Sequence, residues 1–245
     1  MNKTIYALMA LVMMFCGTGC SSKKKFSSNG KSIVTISGQV EGHDYVDLGL
    51  PSGTKWATCN VGATKPTEYG DYFAWGETKP KVDYSWETYK WCKNTGKDSW
   101  GDPIYEYTKY CNDSNYGTVD NKTVLDAEDD AATANWGSAW RMPTRDEQYE
   151  LIEGCDWEWV KDFNGSGVRG RLGTSKKNGA TIFLPAAGDR SSTDLDDAGY
   201  DGFYWSSSLS ELNSSLAYCL YFFDYNIFRD NDYRYSGQSV RAVLR

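Results

Sequence analysis

The sequence predicts an α+β domain that is strand-rich, with two short helices and long loops. Two capped helical runs are legible, over residues 126–137 and 144–154. On either side of them, short apolar runs are divided by Gly, Pro, Asn and Asp, the punctuation of strands and turns. The third observation is compositional: residues 200–235 contain 12 aromatic residues and 13 Ser, Asn or Asp, but no Lys. A packed core does not ask for so many small polar groups, nor a solvated loop for so many rings. Binding surfaces use both, because Tyr gives rigid amphipathic area and Ser and Asn give adaptable hydrogen bonds. The competing reading of this stretch is a Tyr-rich sheet that is only structural.

Taken in order, residues 1–20 read as a signal peptide. Lys3 supplies the positive start, and the apolar run Ile5 to Phe15 falls short of the ~20 residues of a membrane span. Gly17-Thr18-Gly19-Cys20 resembles a lipobox, with Gly17 where Leu is usual, which makes Cys20 the expected lipidation site and the membrane contact. Residues 21–40 are Ser- and Lys-rich and read as a flexible tether, with a weak edge strand over Ile33–Val40. Residues 41–245 form the domain. Asp44–Ala57 reads as a hairpin turning at Pro51-Ser52-Gly53, and Tyr69–Gly76 as a short aromatic strand. Residues 78–122 read as a polar, Trp/Tyr-rich insertion. In it, Tyr89–Cys92 and Tyr107–Cys111 look like strands flanking a turn, so Cys92 and Cys111 are the expected disulfide in an oxidising compartment. Asp126 is the expected cap of a run over Ala127–Ala134. Thr144 and Glu147 form a capping box for the second helix, which stops at Gly154. From Gly179 onward the chain reads as strands and loops, Ala180–Pro185 among them.

Charge excludes one partner class. With Lys3, Lys23, Lys24 and Lys25 set aside, 22 of the 26 bases face 33 acids, a net −11, which repels phosphate backbones and makes nucleic acid an unexpected partner. His43 is the only histidine, and no nucleophile motif surrounds it, so triad chemistry is not expected. Asp162–Gly167 matches the first half of an EF-hand loop, but Gly173 stands where the bidentate Glu belongs. Asp194–Gly199 likewise meets Trp205. No cofactor is expected; calcium on loop carboxylates is the remaining option. There is no CxxC or Cys/His cluster to hold zinc.

Five ordered motifs carry a family resemblance. They are Tyr45–Ala63 (YVDLGLPSGTKWATCNVGA), Asp129–Glu147 (DDAATANWGSAWRMPTRDE), Phe183–Gly188 (FLPAAG), Tyr204–Ser208 (YWSSS) and Gly237–Arg241 (GQSVR). Together they resemble the Fibrobacter succinogenes major paralogous domain family of exported bacterial proteins, over about Asp44 to Arg245. The resemblance implies a C-type-lectin-like fold, related in architecture to formylglycine-generating enzymes, at the cell envelope, the outer membrane above all. It carries over no catalytic residues, and the calcium and sugar motifs of animal lectins are absent. The ending also resembles proteins of this fold that a retroelement diversifies at Asn codons. The permitted residue types occur at Cys219, Tyr221, Phe223, Asp224, Tyr225, Asn226, Phe228, Asp230, Asn231 and Tyr233.

The functional expectation is a lipid-anchored binding module, not an enzyme, that presents an aromatic and polar face to a protein or glycan ligand. Tyr204, Cys219, Tyr221, Phe223, Tyr225, Asn226, Phe228, Asp230, Asn231 and Tyr233 are its candidate contacts. Strand alternation sends Leu220 and Phe222 to the core instead. Trp205, Arg234 and Arg241 are expected in the scaffold. The alternatives are a structural or assembly subunit of the envelope and an enzyme related to the formylglycine-generating group.

Overall fold

The computed structural model describes residues 34–244, and the first of these are already tied into the domain. Thr35 donates its N–H to the Thr181 carbonyl (3.0 Å) and Ser37 to that of Tyr45 (2.7 Å). The segment read as tether through residue 40 is therefore domain from residue 34. Cys20 lies outside the described residues. β1 (Gly38–Val40), β2 (His43–Asp47) and β3 (Lys55–Ala57) run as an antiparallel meander. Gly53 closes the turn between β2 and β3 at φ 76°, a region that suits glycine.

The insertion forms its own hairpin of β4 (Cys92–Lys97) and β5 (Pro103–Tyr107). Its register corrects the expected disulfide. The strands lie further into the insertion than the aromatic runs suggest, so Cys92 faces Tyr107 and Cys111 falls beyond the ladder. Both thiols are free: Cys92 Sγ donates to Trp86 O and Cys111 Sγ to Asp113 O, each at 3.1 Å. The aromatic strand expected over Tyr69–Gly76 forms only a bridge, Phe73 to Gln238.

The first helical run is broken in two. A 3-10 turn spans Ala127–Asp129, Asp130 is extended, and α1 (Ala131–Trp136) starts afresh. Asp129 is buried against Lys90, Lys109 and Tyr110, while Asp130 caps α1 by accepting from Thr133 N–H and also holds Met142 N–H. These long-range bonds override the local helical preference. β6 (Trp140–Arg141) leads to α2 (Arg145–Gly154), where the Thr144/Glu147 capping box forms as expected.

Strands then follow one another. They are β7 (Cys155–Val160), β8 (Gly170–Ser175), β9 (Thr181–Pro185), β10 (Asp189–Ser191), β11 (Asp194–Asp196), β12 (Gly202–Leu209), β13 (Leu216–Phe223), β14 (Asn226–Tyr233) and β15 (Val243–Leu244). They build a five-stranded sheet β1-β2-β3-β15-β6, two three-stranded sheets β7-β8-β9 and β12-β13-β14, and the hairpins β4-β5 and β10-β11. Every ladder is antiparallel. The result is strand-rich with few helices, an α+β to mostly-β fold.

The core is aromatic. Trp56, Trp75, Trp140 and Trp205 are wholly buried. The indoles of Trp75 and Trp205 lace the Phe73–Trp75 segment to β12, bonding Ser206 O and Phe73 O at 2.8 Å. The two expected scaffold arginines are buried, and among the described residues neither has an ion pair with a carboxylate. Arg234 lies among the rings of Trp75, Tyr89, Tyr107 and Tyr110 and donates to the carbonyls of Lys109, Tyr110 and Ser214. Arg241 donates to Asn60 Oδ1 and to the carbonyls of Ala57, Thr58 and Phe183.

Candidate functional site

The sheet β12-β13-β14 places the predicted contact residues, and it does not keep them together. In β13 the alternation holds: Leu220 and Phe222 are buried, while Tyr221 and Phe223 are half-exposed on the opposite side. Asp224-Tyr225 is the two-residue turn into β14, and it presents Tyr225 82% exposed. Cross-strand neighbours complete an aromatic strip. Phe203 stacks on Tyr221 at 4.5 Å, Phe228 meets Tyr221 edge-on at 5.1 Å, and Tyr225 meets Phe223 edge-on at 4.3 Å. Offset and edge contacts of this kind rigidify a ring surface.

Four predicted contacts lie elsewhere. Tyr204 is 2% exposed, and its hydroxyl donates to Pro185 O at 2.6 Å, so it belongs to the core. Cys219 shares a face with Tyr221, but at its end of β13 that face packs into the core with Phe73, Trp75 and its cross-strand neighbour Trp205, which leaves it 1% exposed. Burial, with Asp232 and Asp230 close by, pushes that thiol's pKa well up. Asn231 alternates to the other face, whose neighbour Arg229 stacks over Tyr149 of α2. Tyr233, 48% exposed, sits at the far end of β14 in a second aromatic group, 5.8 Å from Trp86 and stacked on Tyr235 at 5.5 Å. Asn226 and Asp230 stay on the Tyr221 face and spend an oxygen on the next backbone N–H.

Beside the strip lies an open cleft of about 530 Å³, lined by Tyr221, Phe223, Asp224 and Tyr225 and also by Trp159, Lys161, Arg169, Tyr200 and Asp201. The second group escaped sequence reasoning for its wall of the cleft. Trp159 comes from β7, Lys161 and Arg169 flank the β7–β8 loop, and Tyr200 and Asp201 precede β12. Tyr200 and Asp201 were within the aromatic and polar stretch. The Trp157-Glu158-Trp159 alternation beside Lys161 was the available signal for the remainder.

The polar groups of the cleft are positioned but not neutralised. Tyr221 donates its hydroxyl to Asp201 Oδ2 at 2.7 Å. Burial raises the Asp201 pKa, against the pull of that bond. The Arg169 guanidinium stacks over Tyr200 at 5.2 Å. Among the described residues, no ion pair joins Lys161 or Arg169 to Asp201 or Asp224. Such a site can stack, accept and donate at once.

Cation sites are less well supported. Asp126, Glu128 and Asp129 converge closely enough to share an ion, yet Lys109 Nζ already occupies that position, 2.7, 3.2 and 2.5 Å from the three carboxylates. In the EF-hand-like loop, Asp162 spends Oδ1 on Gly167 N–H at 2.7 Å. Asp194 and Asp196 lie in β11 and pair with β10. His43 is engaged in packing, its ring stacked on Trp136 at 3.8 Å. In comparisons with known proteins, no family model, no curated protein and no solved structure matches this chain.

Proposed function

We propose that the chain is a lipid-anchored binding module of the bacterial envelope, held at the outer membrane through Cys20. In this reading its domain is C-type-lectin-like, of the Fibrobacter succinogenes major paralogous type, and works without catalysis. The ligand, protein or glycan, enters the cleft beside Tyr221, Phe223 and Tyr225. The strand-rich fold with two short helices and long loops is compatible with that domain type. The observation that carries the functional reading is the cleft itself. Five rings line one open concavity of a size usual for ligand sites, about 300–1,000 Å³, and the most exposed of them is Tyr225.

The full chain, screened against arrayed cell-surface proteins and oligosaccharides, supplies the probes. Tyr225→Ala and Phe223→Ser should each lower retention of the strongest hit by about tenfold, with an unchanged circular dichroism spectrum. Hits that survive both substitutions undiminished would sink this reading. A chain that elutes alone as a stable oligomer, with Tyr225 protected from iodination, would favour the assembly subunit instead. A near-copy of the gene's 3′ end beside a reverse transcriptase would mark the face as diversified.

A further inference from the structure

We infer that the ligand of this cleft is a neutral oligosaccharide, stacked on Trp159 and Tyr225 and hydrogen-bonded by Asp201 and Arg169. The inference rests on the binding-module reading above and narrows it to one class of ligand.

Three features of the cleft select that class. The first is its charge balance: Asp201, Asp224, Lys161 and Arg169 line the same concavity. A polyanion would meet both carboxylates and a cation both bases, each a like-charge repulsion. A neutral polyhydroxyl ligand meets no like charge, and each of its hydroxyls both donates and accepts. Carboxylate oxygens accept hydrogen bonds from hydroxyls, and the guanidinium fork donates to ring and hydroxyl oxygens.

The second feature is the arrangement of rings. Aromatic faces carry negative charge density, and the C–H bonds on the flat side of a pyranose present the complementary positive edge. Trp159 and Tyr225 both line the cleft and stand on different elements, β7 and the β13–β14 turn, Trp159 being backed edge-on by Phe222. They offer two separate platforms to a chain of sugar rings.

The third feature counts against a peptide. Extended peptides gain affinity by adding a strand to a free sheet edge. β13, which supplies Tyr221 and Phe223, is the middle strand of its sheet, paired with β12 on one side and β14 on the other. Its backbone groups are already satisfied in the ladders, so along β13 the cleft offers side chains alone. β7, which supplies Trp159, is the outer strand of its own sheet, and the peptide chip below probes that edge.

The test uses the full chain on a chip carrying neutral, acidic and amino oligosaccharides, beside a second chip of overlapping peptides. Neutral di- to hexasaccharides should be retained. Trp159→Ala and Asp201→Asn should each weaken the strongest of them by about tenfold or more. Tyr225→Ala, at an exposed turn, repeats the test while giving up only the edge contact with Phe223. Retention of acidic or amino sugars only, or of no sugar, overturns the carbohydrate assignment. Peptide hits lost in these same variants overturn it too, but leave the cleft standing as a binding site. Hits of either kind that all three variants leave intact overturn both.

Discussion

Two carboxylates in this domain are displaced in opposite directions, and their pH signatures follow from their neighbours. Burial works against ionised Glu147, yet the Arg141 guanidinium and the Thr144 backbone N–H hold its pKa down at about 2. Its folded value lies below its unfolded one. Its contribution is therefore fully present above about pH 4.5 and is lost as pH falls from there towards 2. Glu147→Gln should destabilise the domain by on the order of 3 kcal/mol at pH 7, and the gap should close towards pH 2. Asp189 is pushed up to about 7 by burial, then by Asp232, Asp196 and Asp197. Here the folded value lies above the unfolded one, so stability falls as pH rises from about 4 to 7 and is level beyond. Asp189→Asn should match the wild type below pH 4 and exceed it by on the order of 4 kcal/mol at pH 8. Urea denaturation at pH 3, 5, 7 and 8 reads both variants; parallel curves for either would remove its assigned role.

Among the elements, the β4–β5 hairpin makes the clearest prediction, because its register leaves Cys92 and Cys111 unbonded. Among the described cysteines, Cys92 is half-buried and Cys59, Cys111, Cys155 and Cys219 are buried. Burial pushes the Cys92 thiol up to about 11 and that of Cys155 to about 12, and a protonated thiol is a poor nucleophile. Iodoacetamide on native protein should add no more than one slow label, on Cys92, to these five positions. In guanidinium without reductant, all five should be labelled; a protected Cys92/Cys111 pair would contradict the register. The expected pairing failed because two aromatic runs showed that strands were near without showing where they begin. Local signals fared better where the physics was local. The Thr144/Glu147 box, the hairpin over 44–57 and the inward turn of Leu220 and Phe222 were all legible. The fate of Cys219 was not, since alternation gives its face and only packing with distant residues such as Phe73 and Trp75 decides whether that face is covered. Half the cleft was hidden for the same reason: Trp159 and Arg169 reach Tyr221 only through tertiary packing.

At the scale of the whole molecule, the position of β15 decides how the domain closes. Val243 pairs with Trp56 of β3 on one side and Arg141 of β6 on the other, and Leu244 pairs with Trp140. Just before it, Val240, Arg241 and Ala242 are buried, and Arg241 draws together the carbonyls of Ala57, Thr58 and Phe183. Truncation after Ser239 should therefore abolish folding. Losing the buried guanidinium alone leaves its carbonyl partners unsatisfied, at about 1–3 kcal/mol each, against a typical total stability of about 5–15 kcal/mol. Limited proteolysis of the truncated chain reads the outcome; a resistant core of full domain size would refute it. Synthesis runs from the N-terminus, so β3 and β6 both leave the ribosome before β15, the strand that joins them. Until β15 follows, β3 carries a bare edge and aromatic surface still waiting for a lid. Closure of this sheet is thus timed by the emergence of β15, and a chain in transit stays threadable until that strand arrives.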